Sequence, residues 1–168
     1  MNRVIEESGI NAEAIVGIGI AGQGCGFYAT DKGGNDIRNA ITSADNRAFP
    51  QVTRWMEEGL NRKLYSITYR EPSPGCLCSI LAWLKENEKS SYAKIDSLFS
   101  MKDFLVYKMT GKKIAGYGCQ SASGLMDMRT GMFTSEFSRA LAWHSSLNSL
   151  HHLEMLALDT PYSAVILL

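Results

Sequence analysis

Apolar and polar positions along the chain change period twice. Residues 2 to 13 carry no sustained period and read as the end of a helix followed by a turn. From Ala14 to Ala21, A-I-V-G-I-G-I-A alternates apolar with small residues, the pattern of a buried strand. Phe27 to Thr30 is a second short strand, D-K-G-G-N-D (31–36) turns the chain on two adjacent glycines, and Ala40 to Ser43 offers a third strand. The front of the chain therefore reads strand, loop, strand, turn, strand, before any long helix.

Helical spacing then takes over. Phe49 to Gly59 has Pro50 in its first turn and Gly59 as a stop. In S-P-G-C-L-C-S-I-L-A-W-L-K-E-N, Ser73 is the expected N-cap and Pro74 the first helical residue. Leu77, Ile80, Leu81 and Leu84 form one apolar stripe, and Lys85 to Lys89 leads out to solvent. I-D-S-L-F-S (95–100) reads as a short strand. Ser100 with Asp103 makes a capping box for a third helix that ends at Gly111. The expected core face of that helix is Phe104, Leu105, the stem of Lys108 and Met109. Residues 114–128 look extended and turn-rich, M-R-T-G-M-F (128–133) a hairpin turn, and Thr134 to Trp143 a further helix. The leucine-rich end closes on A-V-I-L-L, either a last strand tucked into a sheet or a chain cut short.

Composition narrows the class. A chain of 168 residues fits one domain with a useful core. Lys plus Arg and Asp plus Glu both total 17, so no basic surplus points to nucleic acid or to an anionic membrane surface. The N-terminus lacks a secretory apolar core and the apolar runs are too short to span a bilayer, which makes a cytoplasmic protein the expectation. Cys25, Cys76, Cys78 and Cys119 form no C-x-x-C and no zinc-type pairing with His144, His151 or His152. They are expected to be reduced thiols, with no metal site.

The glycine run G-I-G-I-A-G-Q-G-C-G (17–26) poses the main chemical question. Gly17, Gly19 and Gly22 spell G-x-G-x-x-G, but a dinucleotide fingerprint needs a strand before the first glycine and a helix near the third. Here the glycines lie in the strand and another strand follows, so that reading is rejected. The small residues are instead expected where another backbone comes close. Beyond the strand, Gly22, Gly24 and Gly26 allow a sharp bend. Gln23 offers one acceptor and two donors, a match to sugar hydroxyls, and Cys25 could line a pocket. The plain alternative is a glycine turn with an exposed glutamine. In S-A-D-N-R-A (43–48), Asp45 can accept two hydrogen bonds and Arg47 can clamp an anion. The alternative there is a helix cap at Asp45 or Asn46, with Arg47 solvated.

Those two segments, I-G-I-A-G-Q-G-C-G-F-Y and D-K-G-G-N-D-I-R-N-A-I-T-S-A-D-N-R-A, resemble the sugar-binding segment of the FGGY carbohydrate kinases. The likeness continues through L-A-W-L-K-E-N-E-K-S-S-Y-A-K-I-D-S-L-F-S-M-K-D-F-L-V-Y-K-M-T-G and S-A-S-G-L-M-D-M-R-T-G, over roughly residues 10 to 142. The resemblance implies a ribonuclease-H-like α/β fold, shared with actin and hexokinase. It implies ATP-dependent phosphorylation of a sugar or polyol hydroxyl, with magnesium. Gln23, Gly24 and Cys25 match the family's substrate loop, where a histidine often stands in place of Cys25, a departure that leaves the particular sugar open. Asp45 and Arg47 match its second polar turn. Asp103 matches its K-D-Y-L motif, a structural position because it caps a helix.

The family builds phosphoryl transfer from an N-terminal D-x-G-T hairpin, a later G-x-G-D aspartate and a second domain for nucleotide. D-K-G-G at Asp31 echoes the first of these but follows the sugar loop. Residues 1–142 are therefore expected to be an incomplete first domain, and 143–168 an atypical tail, truncated or frameshifted. No catalytic, nucleotide-binding or metal-binding residue is assigned, and the chain alone is expected to be inactive. An exposed sheet edge predicts marginal stability and pairing with a second copy or a complementary chain. The alternative is a catalytically inactive remnant, at most a sugar-binding or assembly module.

Overall fold

The structure, a computed structural model, describes residues 2–133 and two later strands. Its elements in chain order are α1 (Asn2–Ser8), β1 (Gly17–Ile20), β2 (Tyr28–Thr30), α2 (Phe49–Glu57), α3 (Leu60–Thr68), α4 (Leu77–Asn87), α5 (Lys89–Ala93), β3 (Ser97–Phe99), α6 (Met101–Thr110), β4 (Ile114–Gly116), α7 (Tyr117–Gln120), β5 (Met126–Asp127), β6 (Met132–Phe133), β7 (Glu154–Leu156) and β8 (Ala164–Leu167). Short ladders join them. β1 pairs antiparallel with β8, β2 with β3, and β5 with β6, while β4 runs parallel to β7. The expected helix at Thr134–Trp143 lies outside the described residues, whereas the end of the chain does supply a strand, β8, against β1.

The front of the chain folds as its alternation predicts, with one shortening. β2 lies between β3 and the returning chain, which it meets at Phe27–Ile41 and Thr30–Asp36. The turn between is closed by Asp31, whose carboxylate accepts from the Asn35 backbone N–H at 2.9 Å. The third strand shrinks to a single bridge at Ile41. Beyond it the chain turns away, with the Asp45 N–H bonded to the Thr42 carbonyl.

The core centres on α4. Leu77, Ile80, Leu81 and Leu84 are all buried, as the apolar stripe requires, against Phe27, Ile41, Trp55, Leu98, Phe99 and Leu125. Each such side chain contributes about 1.5–3 kcal/mol by leaving water. The helix starts three residues later than expected, at Leu77. Ser73 does not cap it; its hydroxyl meets the Cys76 sulfur at 3.0 Å, and Pro74 and Gly75 form a turn before the helix. α3 has no counterpart in the sequence reading. Gly59 does end α2, but a new helix starts at once, and its Leu64, Ile67 and Thr68 share a buried face at i, i+3 and i+4. Lys89 begins α5 instead of a solvent exit.

α6 begins and ends where predicted, at Ser100 and Gly111. Its buried face differs: Asp103 and Val106 point inward, while Leu105 is 40% and Met109 38% exposed. Aromatic packing sets this orientation. Phe104 lies 5.4 Å from Tyr28, and Tyr107 stacks on Phe99 at 4.9 Å, which docks the helix on β2 and β3. The Lys108 ammonium lies 5.1 Å from the centre of the Phe104 ring and pairs with Asp36 at 2.7 Å.

The close approach expected of the glycine run does not fall at Gly19. A side chain at Gly19 would meet nothing within 4 Å. The close approach is at Gly22, past the strand, where Met101 fills the space a Cβ would need. No helix begins at Gly22, in keeping with the rejected dinucleotide reading.

Candidate functional site

The bend after β1 is held by its glutamine. The Gln23 side-chain oxygen accepts from the Ser43 hydroxyl at 2.9 Å and the Ser43 N–H at 3.4 Å, and its nitrogen donates to the Tyr28 hydroxyl at 3.0 Å. One N–H of the amide is left over from these bonds. Gln23 therefore ties residues 22–26 to the polar turn at 43–47, bringing together two segments that the sequence leaves 20 residues apart. Two glycines make the join possible. Gly26 sits at φ +112°, and a Cβ there would lie 2.8 Å from the Ile41 carbonyl oxygen. At Gly75 a Cβ would fall on the Ser43 carbonyl itself. Gly26 and Gly75 are hydrogen-bonded, N to O, at 3.1 Å.

Asp45 and Arg47 turn toward each other. Arg47 donates its backbone N–H and Nε to Asp45 Oδ1 at 2.9 and 2.8 Å, and Nη2 to Oδ2 at 2.8 Å. The guanidinium also lies over the Trp83 ring at 5.0 Å and 4.0 Å from Glu88, which itself pairs with Arg38. Arg47 holds the Asp45 carboxyl below the usual carboxylate range, chiefly by hydrogen bonding and against some burial. Neither residue caps α2, whose N-cap is Ala48 with no side-chain bond. The same D-x-R clip recurs at Asp127 and Arg129 in the turn between β5 and β6. It is a local clip that closes a turn. Both side chains at 45 and 47 remain part-exposed, and Gln23 hydrogen-bonds this turn at Ser43.

Cys25 is half-buried. Its sulfur donates to the Ala122 carbonyl and accepts from Arg70 Nη2, each at 3.3 Å. Gly24 is exposed, with the Ala122 methyl 3.5 Å from where its Cβ would stand. The bend is thus lined by small groups from residues 22–26 and 122. Arg70, Ser43 and Tyr28 as partners of this loop were not evident from sequence. Arg70 lies in R-E-P-S-P-G-C, where the only local signals are those of a turn.

Asp103 is a buried junction. Ser100 Oγ donates to Oδ2 at 2.7 Å, Gln120 Nε2 to the same oxygen at 2.9 Å, and the Gly116 N–H to Oδ1 at 3.2 Å. It joins α6, β4 and α7, the structural role expected of it. Among the described residues, no group of three or more His, Cys, Asp or Glu could hold a metal ion, and no helix is long and apolar enough to cross a membrane.

Residues 1–154 match the N-terminal domain of the FGGY family of carbohydrate kinases. The chain belongs to that family. It is 40% identical over 134 residues to the L-xylulose/3-keto-L-gulonate kinase of Escherichia coli K12, covering 77% of this chain and 26% of that one. It is 32% identical over 141 residues to a probable L-xylulose kinase of Pasteurella multocida, covering 84% of this chain and 29% of that one. Among solved structures, gluconate kinase from Lactobacillus acidophilus superposes with a TM-score of 0.78 at 19% identity, over 89% of this chain and 29% of that one. Xylulose kinase from Bifidobacterium adolescentis superposes at 0.76 and 17% identity, over 90% and 37%. The fold of this FGGY chain is that of the first domain of these sugar kinases, the actin and hexokinase type. The chain spans a little over a quarter of the two curated relatives just described.

Proposed function

We propose that this chain is the sugar-facing part of an ATP-dependent kinase that phosphorylates a hydroxyl of a small sugar or polyol, with a ketopentose as the first candidate. The observation that carries the reading is family membership across residues 1–154 together with a glycine-rich bend held open by Gln23. Similarity to L-xylulose kinases supports the ketopentose. In this reading Gly24 and Cys25 line the sugar, and the free N–H of Gln23 faces a hydroxyl. Asp45 and Arg47 stiffen the neighbouring turn and present its exposed edge to the ligand. Bare backbone and an amide suit a neutral polyol because they offer directional hydrogen bonds without a charge to desolvate.

Phosphoryl transfer also calls for positioned phosphates, a metal and a group that orients the nucleophile. Family membership supports ATP as the phosphoryl donor, and magnesium is proposed with it. Among the described residues no group of three or more His, Cys, Asp or Glu could hold a magnesium ion. Its part in this reading is to bind and orient the sugar within a cytoplasmic kinase.

A coupled ATP-turnover assay across ketopentoses, aldopentoses, polyols and sugar acids, run beside thermal melts, tests this. The expected result is a rise in melting temperature with one ketopentose and no turnover by the chain alone. Stabilisation that never becomes turnover, even with candidate complementary chains, would leave a binding or assembly module. Melts unmoved by every sugar would overturn the reading.

A further inference from the structure

The turn after α3 delivers a cation to the glycine bend. Tyr69 ends the helix in the left-handed region, at φ +51°, which a bulky side chain rarely adopts. The buried Thr68 hydroxyl lies 3.1 Å from the Arg70 carbonyl oxygen and accepts from the Arg70 N–H at 3.3 Å. The Arg70 backbone is thus fixed where it leaves α3. Its half-buried side chain reaches the bend at Cys25, the neighbour of the exposed Gly24, where Nη2 donates to the sulfur at 3.3 Å.

Two other arginines show what this edge of a guanidinium holds when its partner is present. Arg47 gives Nε and Nη2 to the two oxygens of Asp45, both at 2.8 Å, and Arg129 gives them to the two oxygens of Asp127 at 3.1 and 2.8 Å. The parallel N–H groups match the fork of a carboxylate. On Arg70 the same edge meets a thiol, a weak and uncharged acceptor, at Nη2, while Nε is buried with no hydrogen-bond partner. No acidic side chain pairs with Arg70 among the described residues, and the adjacent Glu71 is exposed and makes no ion pair with it. A half-buried charge in that setting lacks its counterpart.

We propose that Arg70 is a specificity-determining residue that selects a sugar bearing a carboxylate over the neutral sugar of the same carbon skeleton. The inference rests on the kinase reading above and narrows its substrate class to sugar acids. The carboxylate takes the place of the thiol sulfur on Nη2 and satisfies the buried Nε. A single guanidinium matches a single negative charge. Arg47, the cation of the neighbouring polar turn, is already committed to Asp45, so a doubly charged phosphate would be only half compensated. The amide of Gln23 and the bare backbone of the bend remain for the hydroxyls.

Binding of matched pairs to the folded full chain tests this, by titration calorimetry and thermal melts. Five- and six-carbon sugar acids are each set beside a neutral partner: xylonate with xylitol, gluconate with sorbitol, 2-ketogluconate with fructose. The expected result is that at least one acid binds about tenfold tighter than its neutral partner. That advantage should shrink in about 0.5 M sodium chloride, which screens a charge pair and leaves neutral hydrogen bonds alone. Arg70→Leu should bring the ratio of acid to neutral binding to about one, and Arg70→Lys, which keeps the charge without the fork, should restore part of it. The salt series on the unaltered chain decides the matter even where Arg70→Leu does not fold. Neutral sugars that bind as well as their acids would overturn the proposal and leave the kinase reading standing. Inorganic phosphate binding tighter than every acid would overturn it too, and no binding by acid or neutral sugar would overturn both.

Discussion

Gln23 and Ser43, 20 residues apart, are joined side chain to side chain at 2.9 Å, and that bond sets the glycine bend of residues 22–26 against the polar turn. The glutamine works as a brace, because its oxygen is already engaged and one of its two N–H groups is given to Tyr28.

Gln23→Ala should therefore do two things. Losing hydrogen bonds to Ser43 and Tyr28 costs about 1–2 kcal/mol in urea unfolding. Any sugar-induced rise in melting temperature should also vanish. A variant with wild-type stability would show that the brace carries no weight.

Gly75→Ala probes the same join from the other side. Its Cβ would overlap the Ser43 carbonyl, so a rigid backbone must move. The expected loss is about 1–3 kcal/mol, measured by thermal or urea unfolding. Gly19→Ala, with nothing near its Cβ, should lose much less.

Asp103 is a buried polar junction. Asp103→Ala leaves Ser100, Gly116 and Gln120 without their acceptor and should cost about 2–4 kcal/mol. Burial raises its carboxyl above the ordinary 3.8, with the three hydrogen bonds opposing. The folded state thus binds the proton more readily than the unfolded one. Its contribution to stability is complete below 3.8 and falls as pH rises through the raised value. Asp103→Asn should flatten that part of the stability–pH curve.

Asp127 behaves in the opposite sense. Hydrogen bonds from the Arg129 side chain, then its backbone, hold this carboxyl at about 2. Its contribution is present above 3.8 and is lost as pH falls through about 2. Carboxyl NMR should give a midpoint near 2 for Asp127, and Arg129→Ala should return it toward the ordinary value. An unshifted Asp127 in the parent chain would show that the D-x-R clip does not form in solution.

Much of the fold was legible in the residues themselves. The stripe of Leu77, Ile80, Leu81 and Leu84, the capping of α6 by Ser100, its end at Gly111 and the turn between β5 and β6 all depend on neighbours within a few positions, and local spacing encodes such features. So did the family likeness, which rests on segments in order. Tertiary structure alone decided the rest. Leu105 and Met109 lost the core face of α6 to Asp103 and Val106 because Phe104 and Tyr107 docked on rings from distant strands. Gln23 met Ser43, and Arg70 met Cys25, across 20 and 45 residues. Contacts of that kind depend on how elements pack, and no periodicity along the chain records them.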